Sequence, residues 1–323
     1  MRGPRIKARG EGFYHVVSRI VQRCFLLDDR EKGILLGMVR ASAEFSGVEV
    51  FTYAFMDNHF HLLVRVPGKT EVGDAELERR IRALYGPERS GRLFAQWRKW
   101  EEEGAGRCVE EAKARYRARM HDLSQFCKTF KETFTQDFNR RHGGAGTIWE
   151  GRFWSLLLEG AGNVLMPLAG YIHLNPVRAG IVDEPEEARF AGYGAACRGD
   201  AKAQKGLARL VARVFGLPDA DWEMAREICR EVMEGRFRVE AGDDDANADN
   251  NEGETGAGKG RLLHGMLRQR QTGFLRGGAL GSPQFLENMA GVLPMRSRGG
   301  GRRALPWCPG AGLAAAFAVR KAS

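Results

Sequence analysis

Two histidines one residue apart, His59 and His61, sit in MDNHFHLLVRV (56–66), a run otherwise dominated by apolar side chains. A strand repeats its side-chain direction every two residues, so a β reading sends both imidazoles to one face and Phe60 to the other. Flanking Phe55, Leu62, Leu63, Val64 and Val66 mark that strand as central and covered. Two rings side by side can converge on a divalent metal, for which histidine is the commonest ligand. A pair of hydrogen-bonded core histidines fits the same pattern. Further along, Tyr171 and Asn175 fall one turn apart if 161–175 is helical, and then share a face. Ordinarily a tyrosine and a carboxamide so placed serve packing and capping.

The elements that must position these residues are legible in outline. GFYHVVSRI (12–20) alternates and is rich in β-formers, which predicts a strand. DDREKGILLGMVRASAEFSG (28–47) predicts an amphipathic helix with Asp28 or Asp29 as cap and Gly47 as stop. VEVFTYAFM (48–56) and the histidine strand follow, joined by a tight turn at Asp57 and Asn58. Residues 70–120 are charged and helix-prone, the mark of an inserted helical excursion. HDLSQFCKTFKETFTQDFNRRHGG then carries Phe126, Phe130, Phe134 and Phe138 at i, i+4 spacing, a ridge that serves core packing far more often than base stacking. TIWEGRFWSLLLE (147–159) supplies another strand. AGNVLMPLAGYIHLNPVRAGIV (161–182) predicts a helix ended or kinked by Asn175–Pro176.

Two more helices are expected at 201–215 and 221–235. The stretch 240–254 has seven acids and no Lys or Arg, which predicts a disordered linker. Residues 255–323 hold eleven Lys or Arg against one acid, Glu287. Within them ALGSPQFLENMAG carries a helix start, with Ser282 as cap and Pro283 at the first position. The domain expectation is therefore one unit over 1–200 with a helical insertion at about 70–120, and a helical extension over 201–239. An acidic linker over 240–258 and a basic segment over 259–323, with a small helical module and a flexible tail, complete it.

Composition sets the class. The chain has 323 residues, enough for a full core, with 43% hydrophobic and 28% charged residues. No apolar run approaches the ~20 residues of a membrane span, and the N-terminal MRGPRIKARGEGFYHVV is basic without an apolar signal core, so the expected location is cytoplasmic. Six cysteines (24, 108, 127, 197, 229 and 308) form no CxxC pair, which argues against a zinc ribbon and a disulfide framework. A net charge of +9, carried mostly by arginine, points to a polyanion partner, although charge alone is a weak guide.

Taken in order, YHVVSR, MDNHFHLLVRVP, FNRRHGG, WEGRFW and YIHLNPVRAGIV resemble the motif series of the REP-associated tyrosine transposases, within the IS200-like single-tyrosine HUH class. The resemblance covers roughly residues 5–195, interrupted by the insertion, and rests on several long motifs rather than on any one. It implies an α+β fold, with an RRM/ferredoxin-like antiparallel sheet, helices packed on it, the helical insertion and a C-terminal helical appendage. It also implies a metal-dependent transposase that nicks single-stranded or hairpin DNA and transfers the strand through a 5′-phosphotyrosine link, leaving a free 3′-OH. On that basis His59, His61 and Asn175 are the expected ligands of Mg²⁺ or Mn²⁺, and Tyr171, of six tyrosines, is the expected nucleophile. Arg19, Arg152, Arg178, Arg302 and Arg303 are the expected DNA contacts. The protein would act as a monomer or homodimer. Two departures stand out: the family usually has proline at the position of Asp57, and the 70–120 insertion is unusually long. A catalytically silent nucleic-acid-binding protein on the same sheet is the alternative. A hydrolase of small substrates would want paired carboxylates or further histidines, which the pattern lacks.

Overall fold

The computed structural model describes residues 6–235, 278–282, 284–285, 304–306 and 314–317. Strand β1 (Gly12–Arg19) leads through a short 3-10 turn to helix α1 (Asp29–Ser46). Asp28 caps α1 by accepting the Glu31 amide at 2.8 Å, and Gly47 ends it at φ 71°, a left-handed conformation that favours glycine. Strands β2 (Glu49–Phe55) and β3 (His59–Val66) follow as a hairpin. Helices α2 (Asp74–Glu102) and α3 (Gly106–Arg117) form the insertion, then come α4 (Leu123–His142) and β4 (Trp154–Leu158). Helices α5 (Gly162–His173), α6 (Asn175–Arg178), α7 (Gly192–Cys197), α8 (Ala201–Phe215) and α9 (Trp222–Glu234) complete the continuous part. Three short strands, β5 (Gly278–Gly281), β6 (Ala304–Pro306) and β7 (Ala314–Phe317), lie beyond it.

The class is α+β, with helices packed on a sheet of order β2-β3-β1-β4-β5-β7-β6. The first four strands pair antiparallel throughout, but β5 runs parallel to β4, so the sheet is mixed rather than purely antiparallel. Register fixes the faces. Val17 pairs with His61 and Arg19 with His59, so His15, Val17 and Arg19 share a face with both histidines. Phe60 points the other way, its ring 5.7 Å from both Phe130 and Trp149. The phenylalanine ridge of α4 is therefore core: Phe126, Phe130 and Phe134 are buried and Phe138 packs against them. Each such ring contributes roughly 1.5–3 kcal/mol through burial.

The opposite, histidine-bearing face is covered by α5, α7 and α8, with α9 packed against those helices. Contact there is close because glycines permit it. A Cβ on Gly206 of α8 would stand 2.6 Å from the Phe51 carbonyl oxygen, and one on Gly170 of α5 would stand 2.7 Å from Val232. Leu207, Leu210, Cys229 and Val232 belong to the same core as the sheet. Residues 201–235 thus complete the domain, and the sequence boundary at 200 is no packing boundary. The insertion differs: Val72, Leu77, Ile81, Phe94, Trp97 and Val109 form a separate small core that meets the body through Phe45 of α1.

Helical structure was also expected in the basic segment. The acidic linker 240–258 lies outside the described residues, and so do 259–277 and most of 286–323. What is described there is largely strand rather than helix. The physical reason lies in β4, whose outer edge has unpaired backbone groups that Gly278–Gly281 satisfies, with Ala279 and Leu280 buried. Ser282 does act as expected: its Oγ accepts the Phe285 amide at 3.2 Å.

Candidate active site

His59 and His61 project from one face of β3, their ring centroids 5.0 Å apart. Each is held by its Nδ1. His59 Nδ1 lies 2.7 Å from Asn58 Oδ1, and Asn58 Nδ2 donates to the Arg23 carbonyl at 3.2 Å. His61 Nδ1 lies 2.9 Å from Nε2 of His15, a buried ring stacked on it at 5.1 Å. Holding a ligand ring through its second nitrogen is the usual outer support of a metal-binding histidine. Burial favours the neutral imidazoles, pulling His59 down to about 4 and His61 well below the ordinary histidine value, with Arg19 and neighbouring histidines adding to the fall.

Helix α5 lays Tyr171 over this pair. Its ring is 5.8 Å from that of His61 and 6.4 Å from that of His15, edge-on to both. Burial raises the Tyr171 hydroxyl above its ordinary value, while Arg178, Asn175 and Arg19 pull it back. The Arg178 guanidinium stacks over the Tyr171 ring at 5.1 Å. Among the other tyrosines, Tyr14, Tyr53 and Tyr193 are buried, and burial pushes Tyr53 up to about 12.

Asn175 stands beyond the α5 terminus, where the chain passes through Leu174 into α6. Its Nδ2 donates to the Tyr171 carbonyl at 2.9 Å, the bond of a helix cap. That bond uses the nitrogen and leaves the lone pairs of Oδ1 for another partner. Among the described residues no group of three or more His, Cys, Asp or Glu stands ready for a metal. On this face the nitrogen donors that could meet an ion are those of His59 and His61, and Asn175 Oδ1 is the oxygen that sequence reasoning adds to them.

Of the expected DNA contacts, Arg19 faces the site beside His59, with its guanidinium 5.8 Å from the Trp154 ring centre. The exposed Arg152 lines a shallow recess with Arg19 and Trp154. Arg178 sits on Tyr171, whereas Arg302 and Arg303 lie outside the described residues. Asp57 forms a 2.6 Å ion pair with Lys32 of α1, and its charge also acts on His59.

Sequence reasoning passed over three supports of the site. His15 and Asn58 are the first two. His173, fully buried, is the third: its Nε2 lies 2.7 Å from Thr52 Oγ1 and its ring stacks on Tyr193, which pins α5 to β2. The signal for His15 was its period-two spacing with Arg19, and that for His173 its place two residues after Tyr171. Neither spacing reveals the cross-strand partner.

No helix among the described residues is long and apolar enough to cross a membrane. No protein-family model matches the chain, and no curated protein matches it. A solved structure of a REP-associated tyrosine transposase bound to a REP hairpin is similar to this chain at 14% identity, with a TM-score of 0.37, over 62% of this chain and 87% of that one.

Proposed function

We propose that the protein is a metal-dependent, DNA-nicking and strand-transferring enzyme, a transposase of the single-tyrosine HUH type, with single-stranded or hairpin DNA as substrate. The observation that carries this reading is the convergence of His59, His61 and Tyr171 on one sheet face, flanked by Arg19 and Arg178. The motif series supports it. So does the strand order β4-β1-β3-β2, built from β1-α1-β2-β3-α4-β4, which we read as the ferredoxin-like arrangement.

When bound, Mg²⁺ or Mn²⁺ would supply Lewis-acid polarisation of the scissile phosphate. The chain supplies the rest. His59 and His61 offer neutral nitrogens, and Asn175 offers a neutral oxygen. Arg19 and Arg178 draw a phosphodiester to the site and stabilise the charge that develops on it. Tyr171 is protonated at neutral pH, so its proton must leave as the oxygen attacks phosphorus. One phosphorus–oxygen bond forms to Tyr171 and the bond to the 3′ oxygen breaks. That oxygen takes a proton and departs as a 3′-OH. The product is still a phosphodiester, so the second transfer can reverse the step onto another 3′-OH without outside energy.

The test is incubation of the full chain with labelled hairpin oligonucleotides and Mn²⁺, followed by denaturing electrophoresis. An adduct that survives denaturation in wild type and vanishes in Tyr171→Phe, with DNA binding retained, is the expected result. Wild-type adduct in Tyr171→Phe would remove Tyr171 from the role. Tight binding with no adduct from wild type would leave a nucleic-acid-binding protein without catalysis.

A further inference from the structure

The two candidate ligand rings are supported by chemically different partners, and the difference has a consequence. Asn58 presents an oxygen to His59 Nδ1, with its own Nδ2 donating to the Arg23 carbonyl, so the amide orientation is set. An oxygen can only accept there, so His59 carries its proton on Nδ1 and turns the Nε2 lone pair outward. For His61 the partner is Nε2 of His15, which can donate or accept. If His15 donates, His61 must keep its proton on Nε2 and cannot bind a metal through that nitrogen. If His15 accepts, His61 carries the proton on Nδ1 and its Nε2 is a ligand.

Surrounding charge favours the second arrangement. Arg19 shares the histidine face and acts on both His59 and His61. Arg178 stacks on Tyr171, whose ring meets His61. Cations on that side favour a lone pair, the negative end of the imidazole dipole, over an N–H. Against this stands His15 Nδ1, buried and without a hydrogen-bond partner among the described residues, which would then carry the proton. His15 is 1% exposed and His61 2% exposed, so water does not readily substitute for either ring at this bond.

We propose that His15 is a positioning residue for His61: it accepts the Nδ1 proton and, by stacking, fixes the ring plane, so that His61 presents Nε2 beside His59. The role rests on the metal-dependent reading for its purpose, but its structural content is testable in the metal-free protein. Both rings stay neutral throughout, and only the position of their protons is at issue.

The first measurement is nitrogen-15 NMR of histidine-labelled, metal-free full-length chain, assigned by single substitutions. A proton bonded to His61 Nδ1 and hydrogen-bonded to His15 Nε2 is expected, with His59 also protonated at Nδ1. In His15→Phe, which keeps a flat ring for stacking, the His61 proton should redistribute towards Nε2. The second measurement is Mn²⁺ binding by calorimetry. Losing an outer support of this kind lowers metal affinity by roughly 10–100-fold, so His15→Phe should fall in that range and His15→Gln, which retains an acceptor, should recover most of it. Thermal melting confirms folding, and the wild-type spectrum alone decides the proposal if His15→Phe does not fold. A proton found on His15 Nε2 in wild type would overturn the proposal, and so would an unchanged His61 tautomer in folded His15→Phe. Wild-type protein that binds no Mn²⁺ would refute the metal-dependent function instead, while the NMR result alone would still decide the position of the proton.

Discussion

Replacing Asn175 separates the hydrogen bond it makes from the ligand role proposed for it. Its Nδ2 donates to the Tyr171 carbonyl at 2.9 Å in a half-buried position, so Asn175→Ala gives up one neutral hydrogen bond, about 1 kcal/mol net. For a domain of this size that corresponds to a fall of about 2–4 °C in melting temperature. Asn175→Asp also loses the donor. In addition it sets a negative charge at the C-terminal end of α5, which adds about 0.3–1 kcal/mol of penalty. Without metal the order of stability should therefore be wild type, then Ala, then Asp. With Mn²⁺ the order should change, because a carboxylate is a stronger hard-ion ligand than an amide oxygen and a methyl group is none. Asn175→Ala should need about tenfold more Mn²⁺ for cleavage, equivalent to about 1.4 kcal/mol. Asn175→Asp should need no more than wild type and should regain its lost melting temperature on saturation. Thermal melts with and without Mn²⁺, run beside a cleavage titration, read both effects. Wild-type stability of metal-free Asn175→Asp would refute the cap, and a Mn²⁺ titration indifferent to Asn175→Ala would refute the ligand.

The other expectations concern the scaffold and the tail. Glu31 is buried and bound by Arg141 and His142, and the Arg141 guanidinium holds its carboxyl below the ordinary value of 4.5. Its stabilisation is therefore present above that value and is lost as pH falls through the lower, folded one, so melts between pH 7 and pH 3 should show a shallower acid limb in Glu31→Gln. An acid limb identical to wild type would mean that the pair contributes nothing. The double substitution Arg302→Ala, Arg303→Ala should lower the slope of log affinity against log salt by at most about 1.4 on single-stranded DNA, at ~0.7 per phosphate contact. An unchanged slope would assign that part of the tail to something other than phosphate.

Much of the site's scaffold could be read in advance because its signals are local. Asp28 and Gly47 bracket α1, the alternation in 12–20 and 59–66 gives two strands, and the period of two puts both histidines on one face. Hidden from sequence was whatever depends on register. His15 meets His61 only because Val17, not His15, lies directly opposite it, which leaves His15 as the diagonal neighbour. Asp57 looked like an additional carboxylate beside the metal strand, and only the fold brings the buried Lys32 ammonium to it. Helix α8 showed its apolar stripe, but nothing local announced that Gly206 would let it sit directly on the β2 backbone. The ALGS before the expected helix start gave no strand signal, yet its small residues, with little side chain to place, lie beside β4.

That late strand makes assembly of the sheet a matter of timing. Strand β4 ends at Leu158 and its parallel neighbour ends at Gly281, about 120 residues later. A ribosome adding roughly 5–20 residues per second needs on the order of 6–25 s to cover that interval. Throughout it the outer edge of β4, separated from the histidine strand by β1, is exposed to any other extended chain. The nascent protein would thus hold its candidate metal ligands in place well before its sheet is closed, and β5 is the element that ends that interval.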